Sequence, residues 1–271
     1  MGWFHGVGRE LLVVFSALVL LGNTPTHNSL APKDSLVSWW PAEGDANDVP
    51  GLNNGELLNG VAFTSGKTGQ AFSFDGVDDG ISILKTASLN LGPDDFSIEA
   101  WVKLDRTQTH QGAIFFNYAG VPYYALFVTA DAKARLLFRP GYALTGGDND
   151  PFVAATGTTS LRDSRWHHLV GVRSSATALI YVDGVLEGSA TNPAVLTVNG
   201  GSVDTGRCAY ARIGAVHTSA GHCTSPTPNL YESHYFFQGL IDEVKIYNRA
   251  LSDCEIQALA DIDSYSIKSE D

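Results

Sequence analysis

The sequence predicts an all-β sandwich or barrel with one short helix near its C-terminus. Many short runs alternate apolar and polar residues, which is the pattern of strands with one buried face. Turn signals rich in glycine and aspartate separate these runs, and long helical patterns are almost absent. The chain has 28 glycines among its 271 residues, and glycine supplies the positive φ that tight turns require. This length is enough for one sizeable core.

The clearest strand prediction runs from Phe96 to Leu104. One face carries only apolar residues, namely Phe96, Ile98, Ala100, Val102 and Leu104. The opposite face carries Ser97, Glu99, Trp101 and Lys103. The runs Trp166–Arg173 and Thr177–Asp183 alternate in a similar way, and Asp183–Gly184 then gives a strong turn signal. We therefore expect three strands here, each with one buried face, and a tight turn after the last.

One helix is predicted near the C-terminus, from about Asp253 to Ala260. Ser252 and Glu255 have the spacing of a capping box, in which each side chain bonds the backbone N–H of the other residue. Leu251 and Ile256 are placed as a hydrophobic staple. We expect this helix to pack against the edge of the sandwich. The polar residues 264–271 form a tail that is expected to fray.

Residues 1–31 have the features of a signal peptide. Arg9 precedes an apolar run from Leu11 to Leu21 that only Ser16 interrupts. The run is shorter than the ~20 residues that a membrane-spanning helix needs. A clean small-residue cleavage site is missing, so we place the cut between Gly22 and Ala31; an uncleaved anchor is the alternative. The sequence therefore predicts a secreted or cell-surface protein.

Export to an oxidising compartment makes the three cysteines interpretable. Cys208 and Cys223 flank a stretch that contains glycine, serine and histidine, and we expect them to form a disulfide. On the chain-entropy account, closing so short a loop stabilises the fold by ~3 kcal/mol. Cys254 is then unpaired, and we expect it to pack as a small apolar side chain.

The formal net charge of −12 limits the partners of this chain. An acidic chain without runs of lysine or arginine lacks the cationic surface that nucleic acid or an anionic membrane requires. We therefore expect no nucleic-acid partner and no membrane contact beyond the signal segment. The acidic balance suits cation binding, although it also serves solubility alone.

Four segments, in this order along the chain, match the pattern of a known family. They are Leu36–Pro41 with Gly44–Asp48 and Asn53–Gly55; Gly69–Asp79; Phe96–Val102 with Trp166–Val170 and Ile180–Gly184; and Gly239–Leu251. Together they resemble LamG-like jelly-roll domains of the concanavalin A-like lectin/glucanase superfamily. The resemblance implies a two-sheet antiparallel jelly-roll sandwich, which we assign to residues 32–263. It implies much less about function, because one fold hosts many activities.

Proteins similar to this one often hold a structural calcium ion that ties the first strands to the last. By this resemblance, Asp242 supplies a side-chain ligand, and Glu43, Asp48 and Asp75 are its partners or backbone contributors. Oxygen ligands of this kind favour Ca²⁺ over Zn²⁺. The alternative is that these acids accept backbone N–H bonds in turns, which we favour for the neighbouring Asp78 and Asp79.

The position of Asp242 in its predicted strand makes it the most informative of these acids. On an unbroken strand from Gly239 to Tyr247, it shares a face with Leu240, Val244 and Ile246. If that face is the core, its carboxylate costs several kcal/mol unless it is paired or bound to a metal.

Exposed aromatic rings stack on the faces of sugars, and four tyrosines lie in or beside predicted loops. These candidate ligand-binding residues are Tyr118, Tyr123, Tyr124 and Tyr142. The alternative is that they are half-buried strand residues. Trp39, Trp40 and Trp101 have a strand-like context, and we assign them to the core.

The sequence lacks the motifs of glycan-processing enzymes. Retaining glycosidases with this fold resemble one another in a strand with the pattern Glu-x-Asp-x-x-Glu, which places two carboxylates ~5–5.5 Å apart. The chain has no such run. We therefore expect a non-catalytic module that binds an extracellular carbohydrate or glycoconjugate. The alternatives are a structural or adhesive module that contacts proteins and, third, a glycosidase or lyase.

Overall fold

The computed structural model describes residues 1–2, 33–84, 86–91, 94–118, 123–139, 152–196, 210–217 and 233–261. At Tyr118, Tyr123 and Tyr210 it describes the backbone. Most of the predicted signal peptide and the predicted polar tail lie outside these ranges. None of the helices within them is long and apolar enough to cross a membrane.

Strands dominate the described residues, as the sequence predicts. In chain order they are β1 (Leu36–Trp40), β2 (Gly55–Leu58), β3 (Ala62–Ser65), β4 (Gln70–Asp75), β5 (Gly80–Leu84), β6 (Phe96–Leu104), β7 (Gly112–Tyr118), β8 (Tyr123–Val128), β9 (Ala134–Arg139), β10 (Val153–Thr156), β11 (His167–Ser174), β12 (Thr177–Val182), β13 (Val185–Thr191), β14 (Tyr210–Ile213), β15 (Val216–His217), β16 (Ser233–His234) and β17 (Gln238–Tyr247). Short 3-10 helices cover Lys33–Ser35, Ala87–Leu89 and Pro193–Leu196, and one α-helix, α1, covers Asp253–Asp261.

The strands form two large antiparallel sheets. Sheet A has the order β13-β12-β11-β6-β17-β4-β3, and β1 pairs with part of β17. Sheet B has the order β10-β9-β8-β7-β14-β5-β2. The short strands β15 and β16 pair separately. This arrangement confirms the two-sheet antiparallel jelly-roll sandwich that the resemblance implies.

The hydrophobic core fills the space between the two sheets. Strand β6 has the predicted bounds, and its five apolar residues from Phe96 to Leu104 all lie in this core. Trp40 lies there as predicted, with its ring 5.8 Å from that of Phe115. The predicted turn is also present, because Asp183 and Gly184 have φ values of 50° and 79° and join β12 to β13.

The C-terminal helix begins where the sequence predicts and packs elsewhere than expected. The N–H of Ser252 donates to Glu255 Oε2 at 2.9 Å, and the N–H of Glu255 donates to Ser252 Oγ at 3.4 Å, which completes the capping box. Ile256 and Leu259 are buried against Val170 and its neighbours on β11. Because β11 lies inside sheet A, the helix covers the outer face of that sheet, and the prediction that it packs at the sandwich edge is wrong.

A β-bulge in β17 separates Asp242 from the face that Val244 and Ile246 occupy, contrary to the prediction. The register with β6 shifts between Asp242 and Lys245, and Glu243 has a φ of 53°. Asp242 pairs with Trp101 on the outer face of sheet A, whereas Val244 lies in the core between the sheets. The unbroken alternation predicted for this strand is therefore wrong.

Candidate functional site

The bulge in β17 lies at a gap between two neighbouring strands. Strand β4 pairs with β17 from Gln238 to Ile241, and β1 pairs with it from Val244 to Tyr247. Asp242 and Glu243 fall between these two pairings. The first strand, the β3–β4 turn and the last strand of the sandwich therefore meet at one place.

The β3–β4 turn, residues Gly66–Gln70, sits directly on the Asp242 carboxylate. Oδ2 of Asp242 accepts the backbone N–H groups of Lys67 at 2.8 Å and Thr68 at 3.1 Å. Oδ1 is buried and has no hydrogen-bond partner among the described residues. Burial raises the pKa of Asp242 to about 6, and the nearby negative charge of Glu243 adds to this, although the two N–H bonds oppose it. A buried carboxylate oxygen that lacks a hydrogen-bond partner among the described residues can serve as a ligand of a cation.

Glu43 approaches the same turn from the segment that follows β1. Its exposed carboxylate lies against Gly69, and its Oε1 accepts the N–H of Gln70 at 3.2 Å. A side chain at position 69 would collide with this carboxylate. Asp242 and Glu43 thus both contact the Gly66–Gln70 turn, and their oxygen chemistry fits a hard divalent cation such as Ca²⁺.

Asp48 and Asp75, the other two predicted ligands, lie at different places. Asp48 is buried and accepts three backbone N–H groups, from Trp39 at 2.8 Å, Leu52 at 3.1 Å and Asn53 at 3.0 Å. These bonds are those of a turn-stabilising acid, which was the alternative interpretation. Asp75 pairs with Gln238, four residues from Asp242 along β17, or about 13 Å at the usual strand rise.

Asp75 belongs instead to an acidic turn with Asp78 and Asp79. Among the described residues, these three are the group whose carboxylate oxygens all lie within 4.8 Å of one another. Backbone N–H bonds account for the turn: Asp75 accepts that of Val77 at 2.7 Å, and Asp79 accepts those of Asp75 at 2.9 Å and Gly60 at 2.7 Å. Of the four predicted calcium ligands, Asp242 and Glu43 contact one turn, Asp48 has both carboxylate oxygens engaged by backbone N–H groups, and Asp75 belongs to a separate turn.

A buried polar network occupies the outer face of sheet A beside the bulge. Glu99 accepts hydrogen bonds from Tyr247 Oη at 2.7 Å and Lys245 Nζ at 3.3 Å, and its Oε1 is 3.2 Å from His168 Nε2. Burial alone would raise the pKa of Glu99, but Lys245, His168 and Tyr247 outweigh it and hold that pKa down at about 2. The Glu99 carboxylate thus links strands β6, β11 and β17.

Two tryptophans cover this network, although the sequence assigned them to the core. Trp39 Nε1 donates to Glu243 at 3.0 Å, and the same carboxylate pairs with Lys245 at 3.0 Å. The ammonium of Lys67 lies 4.2 Å from the centre of the Trp101 ring. Both rings are half-buried on the outer face of sheet A, so the core prediction for Trp39 and Trp101 is wrong.

The four tyrosines predicted to bind a ligand differ in where they lie and in how far the structure describes them. Tyr124 is only 2% exposed, its ring packs 4.6 Å from that of Phe96, and its hydroxyl donates to the Leu89 carbonyl at 2.9 Å. A residue buried in this way cannot stack on a sugar, so its assignment to a ligand surface is wrong. Tyr142 lies outside the described residues. The backbones of Tyr118 and Tyr123 fall at the ends of β7 and β8.

The register of sheet B brings Tyr118 and Tyr123 into one row across six adjacent strands. Tyr210 pairs with both Leu84 and Tyr118, Tyr123 pairs with Arg139, and Phe152 directly precedes β10 beside Arg139. We call these positions the end row; it comprises Leu84, Tyr210, Tyr118, Tyr123, Arg139 and Phe152. Its two ends are apolar and open to solvent, since Leu84 is 66% exposed and Phe152 is 52% exposed.

By the strand alternation, the positions of the end row fall on the outer face of sheet B. In five of its six strands the adjoining residue belongs to the hydrophobic core, for example Ile83 beside Leu84 and Phe138 beside Arg139, and in β7 it is the buried Asn117. The sequence pointed to two of its tyrosines, Tyr118 and Tyr123, and did not single out Leu84, Tyr210, Arg139 and Phe152. Those residues are far apart along the chain, and only the strand order brings them together. The exposed apolar position that ends β5 was the one local signal.

Of the three cysteines, Cys254 lies among the described residues. Cys208 and Cys223 lie outside the described residues, so their disulfide stays a prediction. Cys254 is exposed on α1, and the expectation that it packs as an apolar side chain is wrong. The position follows from the helix geometry, because Ile256 and Leu259 occupy the buried face.

Comparison with known proteins identifies the family. The family model Laminin_G_3, described as the concanavalin A-like lectin/glucanases superfamily, matches residues 75–257, well over half of the chain. The chain belongs to this family. A comparison with curated proteins finds no match.

Solved structures similar to this Laminin_G_3 chain are jelly-roll binding domains. The binding domain of Paraclostridial Mosquitocidal Protein 1 has 16% identity and a TM-score of 0.62, over 86% of this chain and 53% of that one. Domain 4 of AbnA, a GH43 extracellular arabinanase from Geobacillus stearothermophilus solved with arabinotriose, has 22% identity and a TM-score of 0.57, over 83% and 98%. The binding domain of Botulinum Neurotoxin DC, solved with SialylT, has 11% identity and a TM-score of 0.60, over 86% and 52%.

These similarities establish the fold of the Laminin_G_3 chain. It spans about half the length of the two toxin binding domains and nearly the whole of the arabinanase domain. The similar structures are thus binding domains. Their sequence identities lie below 25%, so the roles of their residues are not transferred to this chain.

Proposed function

We propose that this protein is an exported, non-catalytic module that binds carbohydrate through the end row of sheet B, on a sandwich stabilised by calcium. The observation that carries the proposal is the end row itself. Three tyrosines and a phenylalanine lie there at neighbouring strand positions, and the row ends in solvent-exposed apolar residues. Aromatic side chains present an apolar face together with a polar edge, which suits the faces of sugars.

The position of the end row also favours binding. Connections between strands leave the sheet at this end, between β7 and β8 and after β9. Loops on a rigid scaffold are where binding residues concentrate. Similar solved domains include one bound to arabinotriose and one bound to SialylT, and the proposal extends that kind of ligand to this chain.

The proposed calcium ion lies at the other sheet, where Asp242 and Glu43 contact the Gly66–Gln70 turn. These two residues would hold it. Asp48 would not, because backbone N–H groups already engage both of its carboxylate oxygens, and Asp75 would not, because it pairs with Gln238 at a distance from Asp242. Such an ion would neutralise a buried carboxylate and tie the turn to the last strand. Its role is to stabilise the scaffold; the glycan surface stands apart from it.

An array of neutral and acidic glycans, probed with the full chain, tests the function. We expect selective binding, weakened about 3–10-fold by Phe152→Ala or Tyr118→Ala, since an aromatic contact contributes about 1 kcal/mol. Tyr235→Ala is the matched control, because Tyr235 is 46% exposed and lies at the opposite end of β7. Binding that all three variants leave intact would exclude the end row. Absence of any glycan binding would favour an adhesive module instead.

A further inference from the structure

We infer that His167 is a proton-controlled clasp that locks the connection between β10 and β11 against the β12–β13 turn. We call this connection, residues 157–166, the strap. The side chain of His167, at the start of β11, is only 7% exposed. Its Nδ1 is 2.8 Å from Asp183 Oδ2, in the turn, and its Nε2 is 3.1 Å from Asp163 Oδ1, in the strap. One ring therefore bridges two separate connections of the sandwich.

Both contacts of His167 are hydrogen bonds only when its ring carries two protons. An ionised carboxylate can only accept hydrogen bonds, and a neutral imidazole has a single N–H to donate. The imidazolium can therefore bond Asp183 and Asp163 at once, whereas the neutral ring leaves one carboxylate facing a nitrogen lone pair. Since histidine is the side chain that ordinarily titrates near neutral pH, the bridge can break at one end without any extreme of pH.

The strap is the end of the bridge that is released. Asp183 stays fixed to β11 by two further bonds, because its Oδ1 accepts the N–H of His168 at 2.9 Å and its own N–H donates to the His168 carbonyl at 2.8 Å. The other side-chain bonds of Asp163 come from the N–H and Nε of Arg165, at 2.9 Å and 2.6 Å, and these lie within the strap. The contact with His167 is thus the one that joins the Asp163 carboxylate to sheet A.

The rest of the strap is held by bonds that do not depend on His167. Leu161 is buried in the core, and its N–H donates to the Ala132 carbonyl at 2.9 Å. Glu187 of β13 accepts the N–H groups of Thr158 at 2.7 Å and Thr159 at 2.9 Å, and these bonds help to lower its pKa. Loss of the His167 proton should therefore open only the part of the strap that leads into β11, as a local opening of the folded protein.

The charges around the clasp set the direction of the switch. Its register partner on β6, Val102, is apolar, and four cationic or titratable groups come from the other elements: Arg165 of the strap, Arg106 of the β6–β7 connection, Lys67 of the β3–β4 turn and His168 of β11. Asp183 and Asp163 outweigh burial and raise the pKa of His167, the hydrogen bond to Asp183 most of all. The clasp is thus closed below the ordinary histidine pKa and opens as the pH rises through the raised, folded value.

Hydrogen–deuterium exchange of the full chain at pH 5 and pH 9, corrected for the intrinsic effect of pH, tests the inference. We expect the protection of residues 163–166 to fall about tenfold at the higher pH, the effect of one charge-assisted hydrogen bond, while that of β6 stays unchanged. His167→Gln should show the low protection at both pH values. Asp163→Asn should show equal protection at both, because a neutral amide can accept from the charged ring and donate to the neutral one.

His110→Gln is the matched control. His110 is exposed, and its ring bonds the Phe236 carbonyl, so this variant should keep the tenfold change. Equal protection of the wild-type strap at the two pH values would overturn the inference, and so would a change that persists in His167→Gln. A parallel fall in the protection of β6 would also overturn it, because the opening would then be global. The clasp uses neither the end row nor the calcium ligands, so none of these outcomes bears on the proposed function.

Discussion

The outer faces of the two sheets use their polar and aromatic residues in opposite ways. On sheet A, Glu99, Lys245 and Tyr247 form a buried network, and α1 covers the neighbouring strands. On sheet B, the end row finishes in Leu84 and Phe152, both largely exposed. A sandwich needs only its inner faces for the core, so its outer faces are free to diverge. On sheet A the outer face is committed to stability. On sheet B the outer face is also buried around Phe116 and Phe127, and exposed apolar side chains remain at the two ends of the end row, where we propose that a ligand binds.

Loss of the Glu99 carboxylate should have the largest effect, because it would open the closed face. Glu99→Ala removes the shared partner of Lys245 and His168. Breaking a buried ion pair costs about 3–5 kcal/mol, and we expect the lower end of this range because Lys245 keeps its pair with Glu243. Denaturant unfolding should show this loss, while Glu56→Ala, on the exposed strand β2, should change stability by less than about 0.5 kcal/mol. Equal effects of the two variants would mean that the network contributes little.

The lowered pKa of Glu99 also predicts how its contribution to stability depends on pH. Its pKa is held at about 2 in the folded protein, well below the ordinary value of a glutamate. Its stabilisation should therefore be complete above the ordinary pKa and should disappear as the pH falls toward 2. The difference in unfolding free energy between wild type and Glu99→Ala should shrink over that acidic range.

Calcium should stabilise the folded protein against unfolding through the site proposed on sheet A. A cation that binds only the folded state adds about 2.7 kcal/mol at a hundredfold excess over Kd, which for a domain of this size raises Tm by about 5–10 °C. We expect this rise for wild type and Asp75→Asn, and its loss in Asp242→Asn and in EDTA. Melting that calcium leaves unchanged in wild type would remove the ion from the account.

His167 should make a smaller, pH-dependent contribution at the rim of sheet A. Its Nδ1 is 2.8 Å from Asp183 and its Nε2 is 3.1 Å from Asp163; the Asp183 hydrogen bond is the main cause of its raised pKa. A raised pKa stabilises below the ordinary histidine value and loses that effect as the pH rises through the folded value. Relative to His167→Gln, wild type should gain about 1 kcal/mol at pH 5 and much less at pH 8. A pH-independent difference would contradict this.

The local sequence predicted the elements well and their outer surfaces poorly. The alternation of Phe96 to Leu104 and the Ser252–Glu255 box gave β6 and α1 nearly residue for residue, because both patterns act over a few residues. Asp242 was placed on the wrong face because a bulge at Glu243 shifts the alternation. A bulge depends on what pairs with each side of the strand, and a single strand does not show that.

The site residues show the same limit. The resemblance grouped Asp242, Glu43, Asp48 and Asp75 as one ligand set, whereas in the structure Asp242 and Glu43 contact one turn and Asp48 accepts the backbone N–H groups of other residues. Tyr124 alternates with Tyr123, so one is core and the other belongs to the end row. The end row itself depends on the order β5-β14-β7-β8-β9-β10, which is a property of long-range pairing.

The most direct test of the account maps the ligand onto the two outer faces. Methyl and aromatic NMR resonances of the full chain would be followed during titration with the tightest-binding oligosaccharide found on the glycan array. We expect the resonances of Leu84 and Phe152 to shift with a common affinity, while those of Trp39 and Trp101 on sheet A stay unchanged. Shifts centred on Trp39 and Trp101, with Leu84 and Phe152 unaffected, would contradict it and move the binding surface to the opposite sheet.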